Sequence, residues 1–248
     1  MKKGGTLAVF LFLLLLAPLD ARTGEWRVSP IRLELGGDAK SGVITVYNEA
    51  EEPLQVQMKA FEWTQDGEGK DRYTETGDLL FFPRIMVLGK KEDRILRVGI
   101  RSPAAKKEKA YRLFIEETPG PRKSDGVNVA IAIRFGIPVF VKPLKEETKG
   151  EIGKLGMAKG VLSIPVRNKG NAHFVIRSIV VAGENGKGEK VFSRDISGWY
   201  LLEGASRIHT TEVPKDVCGG LARIMIEVKA EPFSLAGELS PGKTMCEP

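Results

Sequence analysis

Val127–Pro143 reads VNVAIAIRFGIPVFVKP, and Val127, Val129, Ile131, Ile133, Phe135, Ile137, Val139 and Val141 all fall on one parity over fifteen residues. A period of two held that long is a β-strand with one continuous apolar face. Strands in globular proteins usually run about five or six residues, so this one carries more apolar face than a single sheet uses. Either it lines two sheets or it lends its face to another protein, and that choice decides the function.

Working outward, apolar spacing stays at two almost everywhere. Ile31, Leu33 and Leu35 alternate with Arg32 and Glu34, and Leu54, Val56, Met58 and Ala60 alternate with Gln55, Gln57 and Lys59. Val43–Tyr47, Leu79–Phe82, Ile85–Leu88, Ile95–Ile100 and the Tyr111, Leu113, Ile115 series continue the pattern. Short strands with turn signals every ten residues or so predict an antiparallel β-sandwich. The charged stretch Lys142–Lys154 (KPLKEETKGEIGK) lacks apolar periodicity and opens the connection to a second half. That half again reads as strands: Val161–Val166, His173–Val181, Glu189–Phe192, Tyr200–Leu202, Ser206–Thr211 and Leu221–Lys229. The expectation is an all-β protein of two immunoglobulin-like β-sandwich domains, residues 22–143 and 144–248.

The first 21 residues are set apart. Met1-Lys2-Lys3 followed by the apolar core Leu7–Ala17 has the pattern of a secretory signal peptide, too short to span a bilayer, with cleavage placed after Ala21. The mature chain is therefore expected in the bacterial periplasm. In such an oxidising compartment Cys218 and Cys246, the only two cysteines, predict a disulfide. No second Cys or His sits at ligand spacing, so no metal is expected.

The formal net charge of +6 is spread along the chain, without the clustered Arg/Lys and interleaved aromatics of a nucleic-acid surface. Gly237–Thr244 (GELSPGKT) matches the phosphate-loop pattern, but only four residues follow it, too few for the helix whose N–H groups would cradle phosphate. It reads as a flexible polar tail, and neither nucleotide nor any other cofactor is expected. Glu116-Glu117 and Glu146-Glu147 are adjacent, so on a strand each pair points to opposite faces. His173 and His209 stand in strand-like contexts with no nucleophile or paired carboxylate nearby. No catalytic constellation emerges, and the chain does not read as an enzyme. An exported adhesin or carbohydrate-binding protein is the alternative; it calls for surface aromatic clusters or calcium-type Asp/Asn groupings, which 7% aromatic content and this residue order do not supply.

Trp26–Leu35 (WRVSPIRLEL), Val43–Asn48, Phe82-Pro83-Arg84-Ile85, Arg94–Val98, Glu108–Pro119 (EKAYRLFIEETP), Val166–His173 (VRNKGNAH) and Gly198–Arg207 (GWYLLEGASR) occur in an order that resembles the periplasmic pilus-assembly chaperones of the chaperone–usher pathway, in their divergent, non-enteric branch. The resemblance covers residues 26–240. It implies that Val127–Pro143 is a donor strand, inserted into a pilus or coat subunit that lacks its own last strand, and that an outer-membrane usher receives the subunit. Strand addition of this kind gives main-chain hydrogen bonds along an edge and side chains in pockets. By resemblance Val129, Ile131 and Ile133 are the donated side chains, with Phe135 a fourth, while Ile137–Val141 stays in the chain's own core. The resemblance also implies a basic anchor for the subunit's terminal carboxylate at Arg32. The family's partner lysine falls on Pro138, which has no donor, and Arg134 is the substitute. Glu108 and Lys142 are expected to form an inter-domain ion pair, and Arg122–Gly126 a mobile loop before the donor strand.

Overall fold

The computed structural model describes residues 26–118 and 132–247. The signal-peptide residues, the Arg122–Gly126 loop, Val127, Val129 and Ile131 lie outside the described residues.

The first sandwich packs two sheets face to face. One has the order β1 (Trp26–Ser29), β3 (Ser41–Asn48), β8 (Asp93–Ile100), β6 (Leu79–Phe82). The other runs β2 (Leu33–Leu35), β10 (Arg134–Val141), β9 (Lys109–Glu117), β4 (Leu54–Gln65), β5 (Asp71–Glu75), with β7 (Ile85–Leu88) also on β4. Alternation supplies the core: Ile44, Val46, Leu96 and Val98 from one sheet meet Val56, Met58, Leu113, Ile115, Val139 and Val141 from the other.

The second sandwich repeats the plan. β13 (Val161–Asn168) is flanked by β11 (Gly150–Ile152), β12 (Gly156–Ala158) and β17 (Ser206–Glu212). The facing sheet runs β15 (Lys190–Ser197), β14 (Phe174–Asn185), β18 (Leu221–Glu231), β19 (Ser234–Leu239), with β16 (Tyr200–Leu201) on β14. Its core gathers Ile164, Val166, Ile179, Val181, Ile226 and Val228. The single turn of helix α1 (Lys215–Cys218) carries Cys218, which is bonded to Cys246.

The halves share no sequence repeat, yet each uses a buried asparagine in the same way. Asn48 ends β3 and donates to the carbonyls of Glu52 (2.8 Å) and Gly89 (2.7 Å). Asn168 ends β13 and donates to Ala172 (2.8 Å) and Leu201 (3.0 Å). Each also accepts from the amide two residues on, Ala50 and Gly170, so one side chain closes the turn after its strand.

Three sequence expectations change. Trp26–Leu35, a single motif of the resemblance, splits into two strands: β1 pairs antiparallel with β3, the chain crosses over at Pro30–Arg32, and β2 joins the other sheet parallel to β10. Ile31 falls in that crossover and is 76% exposed, so its parity with Leu33 has no structural meaning. The region predicted as a flexible tail instead begins as β19, an edge strand paired with β18 from Ser234 to Leu239, and ends at the disulfide. And β5, absent from the reading because DRYTE has no apolar alternation, forms at an edge against β4.

Candidate functional site

β10 is paired unequally along its two sides. Against β9 it runs antiparallel from Arg134↔Glu116 to Val141↔Lys109. On its other side β2 covers only Val139, Phe140 and Val141. Between Arg134 and Pro138 that second side has no strand beside it among the described residues. The Glu117 amide donates to the Ile133 carbonyl (3.0 Å). In an antiparallel ladder, residues alternate between exchanging bonds with the partner and turning their groups away. The odd residues of β10 therefore bond β9, while Arg134 and Gly136 turn their main-chain groups to the open side and the buried Pro138 turns its own toward the start of β2. Pro138 has no N–H to offer there, which is where a sheet tolerates proline.

At the start of this edge Ile133 and Phe135 are half-buried and pack against the chain's own first core. Phe135 lies edge-on to Trp26, with ring centroids 4.6 Å apart. The Glu117 carboxylate receives both the Ile133 amide and the Trp26 indole N–H, each at 3.3 Å. Arg134, exposed, pairs with Glu116 at 2.7 Å and lies 3.6 Å over the Phe114 ring, so its charge is already held on its own sheet.

Past the open stretch the opposite face of β10 meets the second sandwich. Ile137, Val139 and Val141 point into the first core, but Phe140 belongs with Trp63 to the second. Phe140 stacks on His173 with centroids 3.6 Å apart, and both lie against Tyr200. The Glu108 carboxylate, 3% exposed, accepts from the His173 amide at 2.7 Å and faces its ring Nδ1 at 2.8 Å. The expected Glu108–Lys142 pair does not form. Lys142 instead reaches Glu34 at 2.8 Å and Glu146 at 3.5 Å, because β2 lies beside β10 and brings Glu34 to it. The hydrogen bond from Lys142 holds the Glu34 carboxyl below its ordinary pKa, and Glu34 raises that of Lys142. Arg32, largely exposed, joins this surface network through Glu34 at 3.1 Å.

The residue that sequence reasoning missed is Arg112. It looked like any polar residue alternating with Tyr111 and Leu113 on β9. In the fold it is 5% exposed and stands opposite Pro138. Its guanidinium lies 3.9 Å over the Trp63 ring, with Trp199 and Tyr200 near it, and Nη1 donates to the Gly136 carbonyl at 2.9 Å. Burial lowers its pKa. Only the register, opposite a proline where a cation was expected, could have flagged it. Among the described residues no group of three or more His, Cys, Asp or Glu is placed to hold a metal ion.

Residues 26–146 match the family model described as pili and flagellar-assembly chaperone, PapD N-terminal domain. The comparison with curated proteins gave no match. Among solved structures, the chain is similar to the chaperone–tip adhesion subunit complex CsuC–CsuE of the archaic chaperone-usher Csu pili of Acinetobacter baumannii, at 17% identity and a TM-score of 0.61, covering 87% of this chain and 98% of that one. It is also similar to the Salmonella enterica complex of SafA pilin with the SafB chaperone, at 13% identity and a TM-score of 0.59, covering 88% and 98%. The Pseudomonas aeruginosa CupB2 chaperone matches at 13% identity and a TM-score of 0.54, covering 87% and 100%. At these identities the likeness is one of fold, and it extends over both sandwiches.

Proposed function

Because this chain belongs to the pili and flagellar-assembly chaperones through its N-terminal domain, we propose that it binds pilus-type subunits in the periplasm by donor-strand complementation and passes them to an outer-membrane usher. The observation that carries this reading is the half-covered β10: β2 stops at Val139, and the edge from Arg134 to Gly136, ahead of the buried Ile137 and Pro138, is open to a further strand. An exposed sheet edge is a template for pairing with another chain. The solved relatives include complexes with a pilin and a tip adhesion subunit, which supports the same kind of partner here.

In this reading the apolar series Val129, Ile131 and Ile133 is what the subunit's open groove receives. Each buried side chain contributes about 1.5–3 kcal/mol, of which association takes back a share. Phe135, seated on Trp26, anchors the series to the chaperone rather than being fully given away. Arg32, exposed just before β2 and paired with Glu34, supplies a cation for the subunit's terminal carboxylate. Arg134 is the less favoured second cation, since Glu116 and Phe114 already hold it.

Co-expression with a pilus-type subunit should give a stable 1:1 complex. Ile131→Asp should abolish that complex while leaving the chaperone's circular dichroism and unfolding midpoint unchanged. Capture of the subunit by the Asp variant at wild-type yield would sink the proposal.

A further inference from the structure

The outer face of the sheet that holds β10 changes character along its length. Near the second sandwich it is buried: Trp63, Arg112 and Phe140 lie against Tyr200. At its far end Gln57, Lys59 and Glu116 make it polar, as the wet face of an antiparallel sheet usually is. Between the two stands a patch that fits neither description. Phe61 on β4 and Phe114 on β9 are half-buried there, and Tyr73 on β5 is exposed. Phe114 meets Tyr73 edge-on at 5.5 Å and Phe61 edge-on at 5.6 Å.

This series of rings runs toward the open edge of β10 and stops at a residue with no side chain. Gly136 is exposed and stands opposite Phe114 in the ladder. A Cβ on Gly136 would lie 2.9 Å from Cε1 and 3.3 Å from Cδ1 of Phe114, so the ring edge fills the room a side chain would take. Glycine inside a strand often marks a place where another group comes close. Arg134, the neighbouring outward residue of β10, lays its guanidinium 3.6 Å over the same ring, and Glu116 holds it at 2.7 Å. The Gly136 carbonyl is already taken by Arg112, so at this position side chains carry most of the recognition.

A strand laid along the edge from Arg134 to Gly136 meets Phe114 across the glycine. Its outward side chain beside Gly136 stands about 5 Å from β10, faces the ring edge of Phe114 and has Arg134 at its flank. An aromatic side chain suits both neighbours, because its negative face takes either the positive edge of a ring or a guanidinium. An acid would have to draw Arg134 away from Glu116, and a small side chain would leave the ring edge wet.

We infer that Phe114, Gly136 and Arg134 form a side-chain subsite on the outer face of β10 that selects an aromatic residue of the added strand. The subsite depends on strand addition as read above, yet lies on the face of β10 opposite to Ile133 and Phe135.

The test is a double-mutant cycle on the complex co-expressed with a pilus-type subunit. Phe114→Leu removes the ring and keeps apolar volume. Gly136→Ala drives the ring aside without removing a side chain, and covers the case in which Phe114→Leu alters folding. Each should shorten the complex lifetime roughly three- to tenfold, the worth of one aromatic pair. Alanine placed in turn at each aromatic residue of the subunit should find one position that shortens the wild-type lifetime as much and adds little to Phe114→Leu. Arg134→Gln should couple to the same position. Unchanged lifetimes in both Phe114→Leu and Gly136→Ala, or losses that add in full at every aromatic position, would overturn the subsite and leave strand addition intact. Failure of the wild type to capture any subunit would overturn strand addition itself, and the subsite with it.

Discussion

Phe135 meets Trp26 edge-on, with centroids 4.6 Å apart and planes at 83°. The first described apolar residue of the β10 edge after Ile133 is thereby tied to β1, a strand of the opposite sheet. Phe135→Ala removes the aromatic pair and a half-buried ring, and should destabilise the first domain by roughly 2–3 kcal/mol. Urea unfolding of the variant checks this; a loss below about 0.5 kcal/mol would mean the ring is not seated in the free protein.

The inter-domain contact runs through Glu108 and His173, whereas Lys142 serves a surface network. Glu108→Ala leaves the His173 amide without its acceptor in a buried place, and should cost roughly 1–3 kcal/mol. Lys142→Ala should cost about 0–1 kcal/mol, as exposed ion pairs do. Thermal unfolding of the two variants side by side distinguishes them, and equal losses would contradict the assignment.

His209 is 7% exposed on β17, and its Nε2 has no partner. Burial first, and Arg207 second, push its pKa down to about 4. The unfolded chain, titrating near the ordinary value of about 6.5, then binds the proton more readily than the folded one. The contribution of the neutral ring is whole above about pH 6.5 and is lost as the pH falls toward about 4, by at most roughly 3 kcal/mol. His209→Leu should flatten the loss of stability between pH 7 and pH 4.5. An identical pH profile in variant and wild type would show that another group is responsible.

Asn168 makes three hydrogen bonds in full burial. Asn168→Leu takes the side-chain donor from two buried carbonyls, while the Gly170 amide keeps the Lys149 carbonyl at 3.1 Å, and should cost about 1–3 kcal/mol, read as a fall in the urea midpoint. The disulfide between Cys218 and Cys246, 28 residues apart, closes a loop worth about 3.5 kcal/mol on the chain-entropy model. The Cys218→Ser, Cys246→Ser double variant should therefore unfold at lower urea, and an unshifted midpoint would show that β19 holds the C-terminal segment unaided.

Parity carried much of this fold. Val139 and Val141 read as inward-facing and are fully buried, and the period of two in both halves was enough for two sandwiches. Where parity failed, a backbone event intervened. Ile31 shares its spacing with Leu33 but sits in the crossover between sheets, which spacing does not record. β5 and β19 are edge strands stabilised by ladder bonds more than by burial, so they leave little apolar pattern. The site was less legible still. Glu108 and Lys142 found separate partners because His173, 65 residues away, fills the junction. Arg112 acquires its meaning only from the residue across the ladder, a pairing that no local window contains.

The three residues of β2 act as a ruler. Whatever length of β10 they cover is withdrawn from other strands, and whatever they leave is on offer. Pro30, two residues before the strand would otherwise lengthen past Arg32, has no N–H with which to continue a ladder, so the ruler cannot easily grow. The chain's capacity to receive a partner is thus graduated at its opposite end, more than a hundred residues before the strand that does the receiving.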